Sequence, residues 1–192
     1  MNLEKLHGED MISSSLSRTL GAKEGARAHG EYQLECRDSE GNLKWTMEGH
    51  NLVVNEGLQD MNTKYFTGST YTAYWYIGLY GAAAANDPLA TDTAAVHPGF
   101  TEITPYSNAT RPACNFGTAT TADPSVITNT LSKAAFSINA TATVGGAFLI
   151  SNNTKGGFTG VLFSASDFQA PGDRVVASGD TLNVTYTFSL DA

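Results

Sequence analysis

The stretch SNNTKGGFTGVLFS, Ser151 to Ser164, sets a lysine beside glycines between two apolar runs. Glycine-rich loops of this kind can cradle a phosphate. A phosphate loop, however, needs its second glycine directly before Lys-Ser/Thr, with a helix following, so that backbone N–H groups and the helix terminus converge on the anion. Here Lys155 precedes Gly156 and Gly157, and FTGVLFSA after them has the character of a strand. The residues therefore predict a strand connection, in which Asn152, Asn153 and the glycine pair tolerate a tight reversal. Lys155 is then either a solvated loop tip or one of few charged contacts to an acidic neighbour.

The other reactive side chains are scattered. His7, His29, His50 and His97 form no His-x-His or His-Glu-x-x-His pair, and zinc sites usually show such local pairs. Asp87 and Asp92 share one loop but lack an EF-hand pattern, so solvated loop aspartates are expected. No Gly-x-Ser-x-Gly elbow occurs. Cys36 and Cys114 lie far apart in sequence and are expected as free buried thiols rather than a disulfide. Glu102 is the only glutamate after Glu56, which leaves little for the carboxylate pair of a glycosidase. Arg111 stands in a segment short of charge, beside Pro112, with Glu102 the expected partner in an internal anchor. No catalytic residue, cofactor or metal site is expected.

Composition narrows the class further. Residues 1–66 hold seven Lys/Arg and eleven Asp/Glu, whereas residues 67–192 hold four and eight. The second part is filled by Thr, Ser, Asn, Ala and Gly. A net charge of −8 without a basic stripe argues against nucleic-acid binding. No stretch approaches the apolar length of a membrane span or the pattern of a signal peptide. Four N-x-Ser/Thr matches, at Asn108, Asn139, Asn152 and Asn183, are expected to reflect Asn/Thr-rich β-structure rather than glycosylation.

The elements that must position these residues are mostly strands. Residues 1–29 show no sustained period and predict an extended N-terminal arm. From Glu31, Tyr32, Leu34 and Cys36 alternate up to the turn Asp38-Ser39-Glu40-Gly41, and Leu43 and Trp45 follow, a β-hairpin. Asn55 suits a helix start, and Leu58, Met61 and Tyr65 form an apolar stripe, predicting a short helix over Glu56–Phe66. Tyr71–Ala82 predicts a mostly buried strand, in which core packing is expected over sugar stacking for YTAYWY. Ala83–Gly99 predicts a long loop. FTEITPYSNATRPACNFG, with its prolines, predicts a broken strand at a sheet edge. Ala135–Val144 alternates over its whole length, and so do Leu182, Val184, Tyr186, Phe188 and Leu190, predicting two half-buried strands. The expectation is an all-β protein: an antiparallel β-sandwich or jelly-roll-like domain over residues 30–192, one short helix, and the arm over 1–29.

The order of motifs adds a resemblance. DSEGNLKW, HNLVVNEGLQDM, WYIGLYGA, FTEITPYSNATRPA, VGGAFLISNNTKGGFTGVLFSA and SGDTLNVTYTFSL together resemble a family of tailed-bacteriophage and prophage virion proteins of the capsid decoration (cement) type, over roughly residues 31–192. The resemblance implies a non-enzymatic subunit, made in the host bacterial cytoplasm. It would sit on the capsid exterior, bind the major capsid protein and associate with itself, as a homotrimer or a dimer. It carries no catalytic residue to transfer. A tail or tail-fibre-like component that uses a β-sandwich for host attachment or glycan binding is the alternative. Leu3, Leu6, Met11, Ile12, Leu16 and Leu20 are expected as the apolar anchors of the arm on a partner, with Lys155 as a further contact.

Overall fold

The computed structural model describes residues 25–71, 74–81, 87–168 and 172–192. The six apolar anchors expected in the arm lie outside them. Two strands, β1 (Arg27–Arg37) and β2 (Leu43–His50), form the expected hairpin. Its turn closes through Gly41 N–H to Asp38 O at 3.0 Å, with Gly41 at φ 87°. Since β1 starts at Arg27, the last residues of the expected arm already belong to the sheet.

After β3 (Leu52–Val53) comes α1 (Asn55–Phe66), followed by β4 (Tyr76–Tyr80), β5 (Ser125–Thr128), a 3-10 turn (Thr130–Ser132), β6 (Ala134–Ser137) and β7 (Ala142–Val144). The chain ends through β8 (Gly146–Ile150), β9 (Leu162–Asp167), β10 (Arg174–Val176) and β11 (Thr181–Asp191). One sheet runs β2-β1-β11-β5, with β6 also on β11; the second runs β3-β9-β8-β4; β7 and β10 pair separately. All pairings are antiparallel. Tyr32, Leu34, Phe136, Leu182, Val184 and Tyr186 from the first sheet pack with Ile77, Leu79, Leu149 and Phe163 from the second. The described residues form an antiparallel β-sandwich with one α-helix.

The two sheets differ in sequence because they differ in environment. Strands β1 and β11 alternate, since one face of the first sheet is polar. Strands β8 and β9 are short continuous apolar or small-residue runs, because the second sheet is buried on both faces. Its outer face carries a second core of Val54, Tyr80, Ala94, Phe100, Phe148, Ile150 and Leu162. The loop through Ala94 and Phe100 covers this face. Asp92 in that loop is buried rather than solvated, its Oδ2 accepting Leu89 N–H at 2.9 Å.

The proline-rich edge segment lies where expected, on the outer side of β4. Ile103 N–H donates to Leu79 O, Ile77 N–H to Pro112 O and Cys114 N–H to Trp75 O. Three other expectations need correction. Ala135–Val144 is two strands, β6 and β7, in different sheets. Between Ile138 and Val144 the alternation runs only through Ala140 and Ala142, and Ala140 is exposed, so the chain is free to change sheets there. The buried part of Tyr71–Ala82 is shorter than expected, with Tyr71 and Tyr74 exposed and Trp75 packed on Phe163.

The helix also packs differently. Leu58 and Tyr65 face outward and only Met61 of the stripe meets the core. Instead the N-terminus is clasped. Val54 N–H bonds Phe163 O, Asn55 N–H bonds Ala90 O, and Glu56 Oε2 accepts both Ala94 N–H at 2.9 Å and Leu162 N–H at 2.7 Å. The helix thus approaches β9 through Gly57, where a Cβ would sit 2.4 Å from Phe163 O. Helix propensity alone favours Gly57→Ala by about 1 kcal/mol. The backbone clash reverses that sign: chemical denaturation of Gly57→Ala is expected to show a net loss of about 1–3 kcal/mol.

Candidate functional site

The glycine-rich connection between β8 and β9 does bind an anion, but the anion is the protein's own. Gly156, at φ 71°, donates its N–H to Glu102 Oε2 at 2.7 Å. Glu102 in turn forms a two-pronged pair with Arg111, Nε to Oε1 at 2.9 Å and Nη2 to Oε2 at 2.7 Å. Two further guanidinium N–H groups reach Asn152 O and Gly157 O, each at 2.8 Å. Arg111 N–H also bonds Asn153 O. The Arg111 side chain is 2% exposed and its guanidinium lies 5.3 Å from the centre of the Phe148 ring. The expected Arg111–Glu102 anchor is present, and it fastens the edge segment to the Ser151–Ser164 loop.

Lys155 completes this lock. Its Nζ donates to Tyr106 O and Asn108 O, both at 2.8 Å, and lies 4.3 Å from the centre of the Tyr106 ring. Two of its three donors are therefore engaged inside the subunit, so it is not a freely solvated loop tip. Tyr106 O–H points at Glu102 Oε1 at 3.4 Å, and burial, then the Glu102 charge, push that phenol well up.

Elsewhere the reactive groups are also held structurally. His97 stacks between Phe100, at 4.4 Å, and Phe158, at 5.5 Å, and its Nδ1–H donates to Phe100 O. An open concavity beside β9 is lined by His50, Leu52, Asp87, Pro88, Ser166 and Asp167. Asp167 accepts Tyr80 O–H at 3.2 Å, and burial raises its carboxyl above the ordinary value, with the Asp87 and Asp173 charges acting the same way. Among the described residues no group of three or more His, Cys, Asp or Glu side chains converges to hold a metal ion. Cys36 and Cys114 are both free and buried, as expected.

One surface feature was missed in the sequence although it is visible there. From Tyr65 to Gly81 no residue is charged, and four aromatic side chains in that run stand in solvent: Tyr65 at 74%, Phe66 at 75%, Tyr71 at 73% and Tyr74 at 70% exposure. Tyr65 and Phe66 meet edge to face at 4.9 Å at the end of α1. The helical spacing of Tyr65 suggested core packing, and only the clasped helix N-terminus decides that this face turns outward.

No protein-family model matches the chain, and no curated protein is matched by it.

Removing one member of a buried ion pair strands the other. Arg111→Met is therefore expected to lose about 3–5 kcal/mol in urea denaturation, since Glu102 stays buried without its partner. Adding Glu102→Gln to that variant should cost less than its effect alone, a coupling that a double-mutant cycle reads directly. Burial pushes the Cys36 and Cys114 thiols up to about 12. At pH 8 neither should react with a thiol reagent on the timescale of unfolded controls, and both should react once denaturant is added.

Proposed function

We propose that the chain is a non-enzymatic virion protein of a tailed bacteriophage, a capsid decoration subunit that docks on the shell of the major capsid protein. The motif order supports this reading, and one structural observation carries it: the charge-free run with Tyr65, Phe66, Tyr71 and Tyr74 in solvent. Exposed aromatic side chains along an uncharged stretch of chain suit a surface that becomes buried on assembly. Tyrosine supplies large contact area at low conformational cost, and no lysine or aspartate between positions 65 and 81 has to be desolvated in the contact. The polar groups nearest the loops are already paired within the subunit, so they stabilise the docked body rather than reaching outward.

The same tyrosines favour a second reading, a tail component that stacks them on host-surface sugars. Copy number separates the two. A subunit present in numbers comparable to the shell protein is decoration, and one present at the scale of a single tail is not.

The docking surface is tested with Tyr71→Ser/Tyr74→Ser, which leaves every described core contact in place. Added to particles of the encoding phage stripped of this protein, the variant should occupy shells at least roughly tenfold less well than the parent chain, as loss of central aromatic anchors does. Undiminished occupancy would remove these residues from the interface. Binding of both proteins to isolated host glycans, but to no shell, would favour the tail reading.

A further inference from the structure

The first sheet ends in β2, and among the described residues no strand pairs with its far side. Asn51 N–H donates to Gly30 O at 2.9 Å. With the β1–β2 register, this makes Tyr32–Gly49 and Leu34–Met47 the hydrogen-bonded pairs. The N–H and C=O groups of Thr46 and Glu48 therefore point away from β1, and so does the N–H of His50, whose carbonyl takes Ser166 Oγ–H at 2.9 Å. The groups on Thr46 and Glu48 have no partner among the described residues. A row of this kind is a template for one more strand. On the core side of the same edge Trp45 is only partly buried.

The chain itself contains a segment that fits. ISSSLSRTL, Ile12 to Leu20, puts Ile12, Leu16 and Leu20 on one side of an extended strand, together with Ser14 and Arg18; Ser13, Ser15, Ser17 and Thr19 occupy the other. The hydroxyl side matches the polar outer face that Gln33, Thr46, Glu48 and Thr185 form, and the leucine side matches the shelf of Trp45. We propose that residues 12–20 of one copy add as an antiparallel strand to the open edge of β2 in a second copy.

Length excludes the copy's own β2. With Ser15 opposite Glu48 and Ser17 opposite Thr46, Leu20 lies level with Leu43 and so with Arg37, ten strand residues from Arg27. That is about 33 Å at ~3.3 Å per residue, while the seven steps from Leu20 to Arg27 span at most about 25 Å. An antiparallel strand on this edge therefore comes from a neighbouring copy. This pairing concerns copies of the chain in solution and does not rest on the capsid reading.

The test uses the full chain. Sedimentation velocity across a concentration series should show self-association. Ser15→Pro/Ser17→Pro removes N–H groups aimed at β2. Thr46→Pro removes one that the hairpin does not use. Each should raise the apparent dissociation constant roughly tenfold or more. Amide exchange gives the second readout: Thr46 and Glu48 should exchange fast at low concentration and slowly in the associated state, with β11 protected throughout. A chain that stays monomeric overturns the proposal, as does association that survives Thr46→Pro. If Thr46→Pro loses β11 protection, fast exchange at Thr46 and Glu48 in the associated parent chain overturns it.

Discussion

The fold depends on the eleven-residue ladder between its first and last strands, Arg27 to Arg37 against Asp191 to Thr181. Strand β11 then takes β5 and β6 on its other side, so every strand of the first sheet is placed by reference to it. The register sets Tyr32 opposite Tyr186, with ring centres 4.6 Å apart. Their hydroxyls meet Ser164 Oγ of the second sheet at 2.9 and 3.3 Å, and Asn51 donates to Tyr186 at 2.7 Å. A slip of one residue would turn one of the two tyrosines to the polar face and take a buried partner from Ser164. The ladder and this small polar cluster together fix how the two sheets face each other.

That dependence explains which parts of the fold were legible in the sequence. Strands with one wet face declare themselves by alternation, and Leu182–Leu190 and the Tyr32–Cys36 hairpin were read correctly on that basis. The second sheet is buried on both sides, so β8 and β9 show only short apolar runs. The loop through Asp92 and Phe100 that covers the sheet has no pattern at all. Ala135–Val144 misleads because alternation of alanine and threonine is compatible with a strand without requiring one. The helix misleads because its packing is decided by Gly57, a residue that contributes no side chain, and by a glutamate clasping two backbone amides. Such long-range backbone contacts leave no periodic trace.

The candidate site was legible for a different reason. In a region with so few charges, Arg111 and Glu102 had little choice of partner, and a buried arginine must find acceptors. What the sequence did not reveal is that the glycine-rich loop supplies those acceptors and takes the carboxylate on Gly156. The features that first suggested anion binding are real, and they are satisfied internally. Charge at this site holds loops to the sandwich, and the stretch Tyr65–Gly81 stands apart as an uncharged run with four exposed aromatic rings.

The ladder has a further topological consequence. Arg27 and Asp191 are direct neighbours across two antiparallel strands, so the polypeptide enters and leaves the described domain at the same pole. A short linker from the end of β11 to the start of β1 would span only the width of one strand pair. The sandwich is therefore suited to circular permutation, with new termini opened at the exposed turn between β1 and β2.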